Sequence, residues 1–301
     1  MPTNEPRPTK AVRRDEARAK ALQMRKEQER KAKRNRIIGV AILVAAVLGL
    51  GFVVWTIVSQ QHENETANSE VVYGGSASDV IPPKLADVKA PSTAGDNGGI
   101  PVSNGGADVG KTGDGDVVLS IYFDFMCPVC GEFEKINGAD LDTILGEGGT
   151  TVDYHPVAIL DYKSAGSNYS TRTANAAAVV ADKDPKHFTK FVTELYKNQP
   201  QEGSAGLTDE EIAKVATDLG VPKDVADTFT DTVDGTYETG TAADPTSHDG
   251  TWRTFAPWVA AATQQFGTVG QGTPTVLIDG KVFKDWSTPG ALLEAVNAAK
   301  S

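Results

Sequence analysis

Between Ile37 and Val58 the chain runs for 22 residues without a charged side chain. As a helix, that length crosses the hydrocarbon of a bilayer. It is too long for the apolar core of a cleavable signal peptide, and Ser59-Gln60-Gln61-His62 offers no small-x-small cleavage site. Residues 37–58 therefore read as a retained transmembrane signal anchor, held in the lipid bilayer, and every other part of the chain lies on one side of it or the other. Charge gives the direction. Residues 1–36 carry 13 Lys or Arg against 5 Asp or Glu, a net of +8 on a chain whose total is −11, so the remainder holds −19. Lys31, Lys33, Arg34 and Arg36 crowd the near edge, and Trp55 suits the opposite interface. Such a basic flank stays in the cytoplasm, which makes this a single-pass membrane protein whose C-terminal part is extracytoplasmic. An acidic outer part argues against nucleic acid as a partner and for solubility.

Residues 1–36 form a cytoplasmic basic segment, in which Thr9 to Arg34 reads as a charged, solvated helix without a continuous apolar stripe. Residues 59–98 are polar, with Pro82, Pro83 and Pro91 and a Gly/Ser/Asn-rich end. They read as a flexible extracytoplasmic linker, a coil of ~40 residues spanning roughly 35 Å. Residues 99–301 then make one domain of about 200 residues, enough to bury a core without structural disulfides. Val117 to Phe123 is a strong strand, Phe133 to Leu145 a helix, and Thr151 to Leu160 the next strand. From about 164 to 266 the pattern is mainly helical. It includes a capped start at Thr208-Asp209-Glu210-Glu211 and a helix over Trp252 to Phe266 broken by Pro257. A strand at Pro274–Ile278, a turn at Asp279-Gly280, a second strand and a helix over Thr288 to Ala299 follow. The order describes an α/β domain with helices inserted in its middle.

Both cysteines of the chain fall in Cys127-Pro128-Val129-Cys130. The spacing sets two sulfurs one helical turn apart, as in a pair that opens and closes during turnover. A strand runs directly into the motif, and Pro128 suits a first helical position. Cys127 then faces unpaired backbone N–H groups at the positive end of a helix, where a thiolate is stabilised, while Cys130 is the more buried, resolving thiol. Three other uses of the pair compete. A static disulfide closing so short a loop gains little. Structural zinc needs four ligands, and His62, His155, His187 and His248 offer no ligand-spaced pair. Inert thiols do not suit an oxidising compartment. No metal or cofactor is called for beyond a redox-active Cys127–Cys130 disulfide.

The stretch from Ile121 to Cys130 resembles the active-site segment of DsbA-like thiol–disulfide oxidoreductases, and Gly272-Thr273-Pro274-Thr275-Val276 resembles that family's cis-proline loop. His155 to Asp161 and Tyr169 to Ala176 are similar to its membrane-anchored actinobacterial members. The resemblance covers about 99–301. It implies a thioredoxin-like fold with an inserted helical domain at about 164–266, preceded by one N-terminal transmembrane helix. It also implies an exposed attacking Cys127, a resolving Cys130 and a cis-proline at Pro274 beside the disulfide. The backbone of Thr273 would pair with an extended client segment as an added strand.

One position departs from the family. Relatives commonly carry a buried acid six residues before the first cysteine, where this chain has Ile121. Asp124 reads as a cap on the turn into the helix, and His155, between Tyr154 and Pro156, as structural. The expected activity is introduction of disulfides into exported proteins with free thiols, with a separate membrane redox partner reoxidising the pair. An isomerase or reductase kept reduced by a membrane donor shares the chemistry. A tethered chaperone-like module with an idle disulfide does not.

Overall fold

The computed structural model describes residues 10–67 and 70–300. The start of the basic segment, residues 1–9, lies outside the described residues. The chain divides into two compact units, 1–59 and 60–301. Helix α1 (Lys10–Ala67) runs without interruption through the basic segment and the apolar stretch. Among the described residues it is the one helix long and apolar enough to cross a membrane, with an 18-residue window of mean hydropathy 2.9. Its Leu43, Leu48, Leu50 and Phe52 are exposed.

The second unit is built on a six-stranded sheet. After β1 (Val80–Ile81) come β2 (Ile100–Ser103), β3 (Asp108–Val109) and β4 (Val117–Phe123), then α2 (Pro128–Glu147) and β5 (Thr150–Pro156). Helices α3 (Tyr169–Lys183), α4 (Phe188–Lys197), α5 (Asp209–Asp218) and α6 (Lys223–Ala226) follow, then strands β6 (Thr232–Thr241) and β7 (Asp244–Arg253). The chain closes with α7 (Ala256–Phe266), β8 (Thr275–Ile278), β9 (Lys281–Val282) and α8 (Ala291–Ala299). The main sheet has the order β3-β2-β5-β4-β8-β9. β4 and β5 are parallel and the other neighbours antiparallel.

Central β4 alternates as a strand covered on both sides must. Leu119, Ile121 and Phe123 join the main core with Phe133 and Leu141 of α2 and Leu292 and Val296 of α8. Tyr122 points the other way, into a cluster with Val157, Phe266 of α7 and Leu277 of β8. The β8–β9 turn places Asp279 at φ 47° and Gly280 at φ 76°, the two left-handed residues of a tight hairpin.

Four elements differ from the sequence expectation. The stretch expected as a flexible linker over 59–98 is helical to Ala67, and from Val72 on it is packed into the domain. The Val72 amide donates to Thr251, Val80 pairs with Thr239, and Tyr73 and Val80 are buried. Proline and glycine dominate this composition, yet Val72, Tyr73, Val80, Leu85 and Val88 recur as apolar anchors, and Leu85 and Val88 pack on the core. Burial of those side chains outweighs the coil tendency of the residues between them.

Second, the insertion is not purely helical. β6 and β7 form a ten-residue-per-strand hairpin that joins β1 in a separate three-stranded sheet. The β-branched threonines and Val233, Tyr237 and Trp252 suit a pleated surface better than a helix. Third, Trp252 is the penultimate residue of β7, packed against Val80 and Ala256, and Pro257 sits in the first turn of α7 instead of breaking a helix. There its missing N–H has no helical partner to lose. Fourth, α8 starts at Ala291 because Gly290, at φ 81°, leaves the helical region and puts Pro289 outside.

Candidate redox site

β4 delivers the chain to a tight turn, Asp124 to Met126, in which the Cys127 amide donates to the Asp124 carbonyl at 3.0 Å. Cys127 then stands at the N-cap of α2, with extended backbone (φ −73°, ψ 114°) and Pro128 in the first turn. Its carbonyl accepts from the Cys130 amide at 3.0 Å and the Gly131 amide at 3.2 Å. Across the site the Thr273–Pro274 peptide is cis, and Cys127 Sγ lies 3.3 Å from the Thr273 carbonyl. The structure thus brings Cys127, Cys130, Thr273 and Pro274 together. Pro128 and Val129 sit on the exposed rim, Val129 at 45% exposure. Cys127 is less open than expected for an exposed attacking residue. Only 5% of its surface is free, although it lines a groove.

The two thiols are in opposite electrostatic situations. The Cys127 pKa is lowered to about 6, chiefly by the hydrogen bond from the Cys130 thiol, which outweighs the opposing cost of burial. The backbone N–H groups of Cys130 and Val129 act in the same direction. Burial drives Cys130 well above the ordinary thiol range, and its hydrogen bond to Cys127 pushes the same way. At neutral pH the arrangement therefore carries one thiolate, on Cys127, and one proton, on Cys130.

Asp124 does more than the capping role expected of it. It is fully buried. Its Oδ1 accepts from the Met126 amide at 2.8 Å and the Ser170 hydroxyl at 2.6 Å, and its Oδ2 accepts from the Leu160 amide at 2.9 Å. One carboxyl thereby ties the cysteine turn to the β5–α3 connection and to α3. Burial raises its pKa to about 7. Nearby Asp161, held by the Thr171 amide and hydroxyl, is raised to about 6, again by burial.

Ile121 lies in the core between Tyr154 and Val276. With Cys130, Glu134, Tyr154 and Tyr196 it lines a cavity of about 10 Å³, at the lower limit for a single water. Glu134, one turn beyond Cys130 on α2, accepts from the Thr193 hydroxyl at 2.6 Å, and burial raises its pKa. Sequence reasoning passed over it, although its spacing of four from Cys130 places it on the same helix face. His155 is a packing residue: 2% exposed, stacked on Tyr122 at 4.0 Å, with Nε2 2.9 Å from Asp153.

The groove beside Cys127 has a volume of about 600 Å³ and is lined by Leu160, Tyr162, Phe266 and Gly270 to Thr273. Tyr162 is 59% exposed. Cys127 is among the residues that line the groove.

Comparison with known proteins bears on the family and the fold. The family model described as Thioredoxin matches residues 108–298. Oxidised DsbA from Mycobacterium tuberculosis superposes with a TM-score of 0.52 at 26% identity, covering 67% of this chain and 93% of that one. The reduced disulfide bond oxidoreductase DsbG of the same organism gives 0.51 at 26%, covering 69% and 89%. BdbD from Bacillus subtilis, 16% identical with a TM-score of 0.51 over 71% of this chain and 99% of that one, shares the fold. A 123-residue stretch is 36% identical to the serine/threonine-protein kinase PknE of M. tuberculosis, covering 40% of this chain. The match spans only 22% of the kinase's length.

Proposed function

This chain belongs to the thioredoxin family, and on that premise we propose that it is a thiol–disulfide oxidoreductase working through Cys127 and Cys130. The observation that carries the reading is the divided pair: a Cys127 sulfur lowered to about 6 at a helix start, beside a Cys130 whose proton is held tightly. A low-pKa thiolate is a good leaving group, and stabilising it favours the reduced state, which makes the disulfide oxidising. That favours an oxidase.

In the oxidised enzyme a client thiolate attacks Cys127 Sγ. The Cys127–Cys130 bond breaks, and Cys130 leaves as a thiolate that takes up a proton. A second client thiolate then attacks the client sulfur of the mixed disulfide and expels Cys127 as a thiolate. Two electrons have passed from client to enzyme, and the client leaves with a disulfide. The Thr273 backbone, beside cis-Pro274, holds the extended client segment during both attacks. A separate membrane redox partner takes the electrons, and the clients are exported proteins with free thiols. The uninterrupted apolar helix and the basic flank support anchoring with the N-terminus in the cytoplasm and the domain outside it.

Oxidative refolding of a reduced client tests the reading. Cys127→Ala should abolish the acceleration, and an unchanged rate would overturn it. A second reading shares the chemistry and reverses its direction: a disulfide isomerase or reductase kept reduced by a membrane donor. The reduction potential separates the two. A value near the ~ −270 mV of thioredoxin supports the second, and one roughly 150 mV higher supports the oxidase.

A further inference from the structure

Helix α4 touches the cysteine turn at its C-terminal end. The Tyr196 hydroxyl donates to the Asp124 carbonyl at 3.3 Å. Two residues past the end of α4, Gln199 reaches further. Its Nε2 donates to the Phe125 carbonyl at 2.9 Å and to the Cys127 carbonyl at 2.8 Å. These two carbonyls bracket Met126 and sit on either side of the bend by which the chain leaves the turn and enters α2. The Gln199 backbone is itself fixed, its amide donating to the Tyr196 carbonyl at 3.1 Å.

Room for this contact comes from Gly131, the residue after the resolving cysteine. A β-carbon at that position would run into Oε1 of Gln199. In a helix interior, Gly is less favourable than Ala. Here the missing side chain is what lets a neighbouring amide lie flat against the first turn.

We propose that Gln199 is a positioning residue for the redox pair: its side-chain amide clamps the Phe125 and Cys127 carbonyls, and Gly131 is the clearance that admits it. The inference rests on the reading of Cys127 and Cys130 as a redox pair. Its physical content is twofold. The clamp fixes where Cys127 points, holding its sulfur at the N-terminus of α2 and against Thr273. The amide hydrogens, the positive end of the side-chain dipole, also lie at the carbonyl of Cys127 itself, where they favour a nearby thiolate. Through Gln199 the inserted region acts on the chemistry without touching sulfur.

Three variants test it: Gln199→Ala, Gly131→Ala and the double variant. For each, the Cys127 pKa is read from thiolate absorbance of the reduced protein, the redox equilibrium from titration with glutathione, and stability from thermal unfolding. A hydrogen-bonding contribution of about 1 kcal/mol corresponds to somewhat under one pKa unit. Gln199→Ala should therefore raise the Cys127 pKa by about half to one unit and move the equilibrium a few-fold toward the oxidised enzyme.

Gly131→Ala should do the same without loss of stability, since the displaced group is the tip of a flexible side chain and Ala is the better helix former. In the double variant the two effects should not add, because each removes the same contact. Groups facing the pair, namely Asp124, Glu134 and Tyr196, are unchanged in all three. Additive effects, or a loss of stability with the pKa and the equilibrium unmoved, would overturn the clamp. Should Gln199→Ala fail to fold, Gly131→Ala reads the same contact in a folded protein. A pair that does not exchange with glutathione even in the wild-type chain would sink the redox reading itself, a result distinct from an exchanging pair that ignores Gln199.

Discussion

The turn at Cys127 and the region inserted between β5 and β8 acquire their structure from different distances along the chain. The turn is local. A β-rich strand, an Asp, a Pro in the first helical turn and two cysteines one turn apart are enough to place a sulfur at a helix start. The inserted region depends on burial, with every residue of α3 from Tyr169 to Ala181 enclosed. Yet the two are not independent, because Ser170, Tyr196 and Gln199 of that region each bond to the turn. Chemistry is encoded in the short motif, and its geometry is stabilised by residues far away in sequence.

Perturbing each region separately should separate those contributions. The largest effect belongs to the motif. Cys130→Ala should convert the enzyme into a trap that accumulates client on Cys127 as a mixed disulfide, visible on non-reducing gels and released by reductant. A variant that captures nothing would remove the assigned roles. In the inserted region, Phe191, wholly enclosed against Phe229 and its neighbours, should cost about 3–5 kcal/mol on Phe191→Ala. The denaturation midpoint measures it. If the site were independent of that region, the Cys127 pKa would survive wherever the protein remained folded.

Asp124 joins the two regions, and its linkage to pH has a definite sign. Its folded-state pKa, about 7, lies above the usual carboxyl value, as does that of Asp161 at about 6. The folded state therefore holds these protons more tightly than the unfolded state. Their stabilisation is complete below about pH 4 and is lost as pH rises through 6 and 7. Denaturation midpoints measured between pH 4 and 8 should fall with rising pH, and Asp124→Asn should flatten the slope. A wild-type curve that rises over that interval would contradict the assignment.

The smallest effect should come from Thr208→Ala, which removes the capping box with Glu211 at the start of α5. It should cost about 1 kcal/mol of stability and leave the glutathione equilibrium alone.

Legibility followed the same division. β4, the Cys-Pro-Val-Cys helix start, the β8–β9 hairpin and the Thr208 cap could be read because each has a signature a few residues long. The packed course of 72–98 could not, because its anchors Val72, Tyr73, Val80 and Leu85 are separated by residues that favour coil, and the surfaces they meet come from distant segments. The β6–β7 hairpin was hidden among helices for a related reason: its threonines and glycines signal weakly, and it pairs with β1, some 150 residues earlier. Asp124 could be read as a turn residue, since the Met126 bond is local. Its reach to Leu160 and Ser170 depends on the tertiary fold, as do the roles of Glu134 and Gln199.

The account rests on Cys127 being a thiolate at neutral pH while Cys130 keeps its proton. Titration of the reduced protein, followed by thiolate absorbance in the wild type and in Cys127→Ala, tests that most directly. The predicted result is a midpoint near 6 that vanishes in the variant. A midpoint at the ordinary thiol value of ~8.5 or above would contradict it.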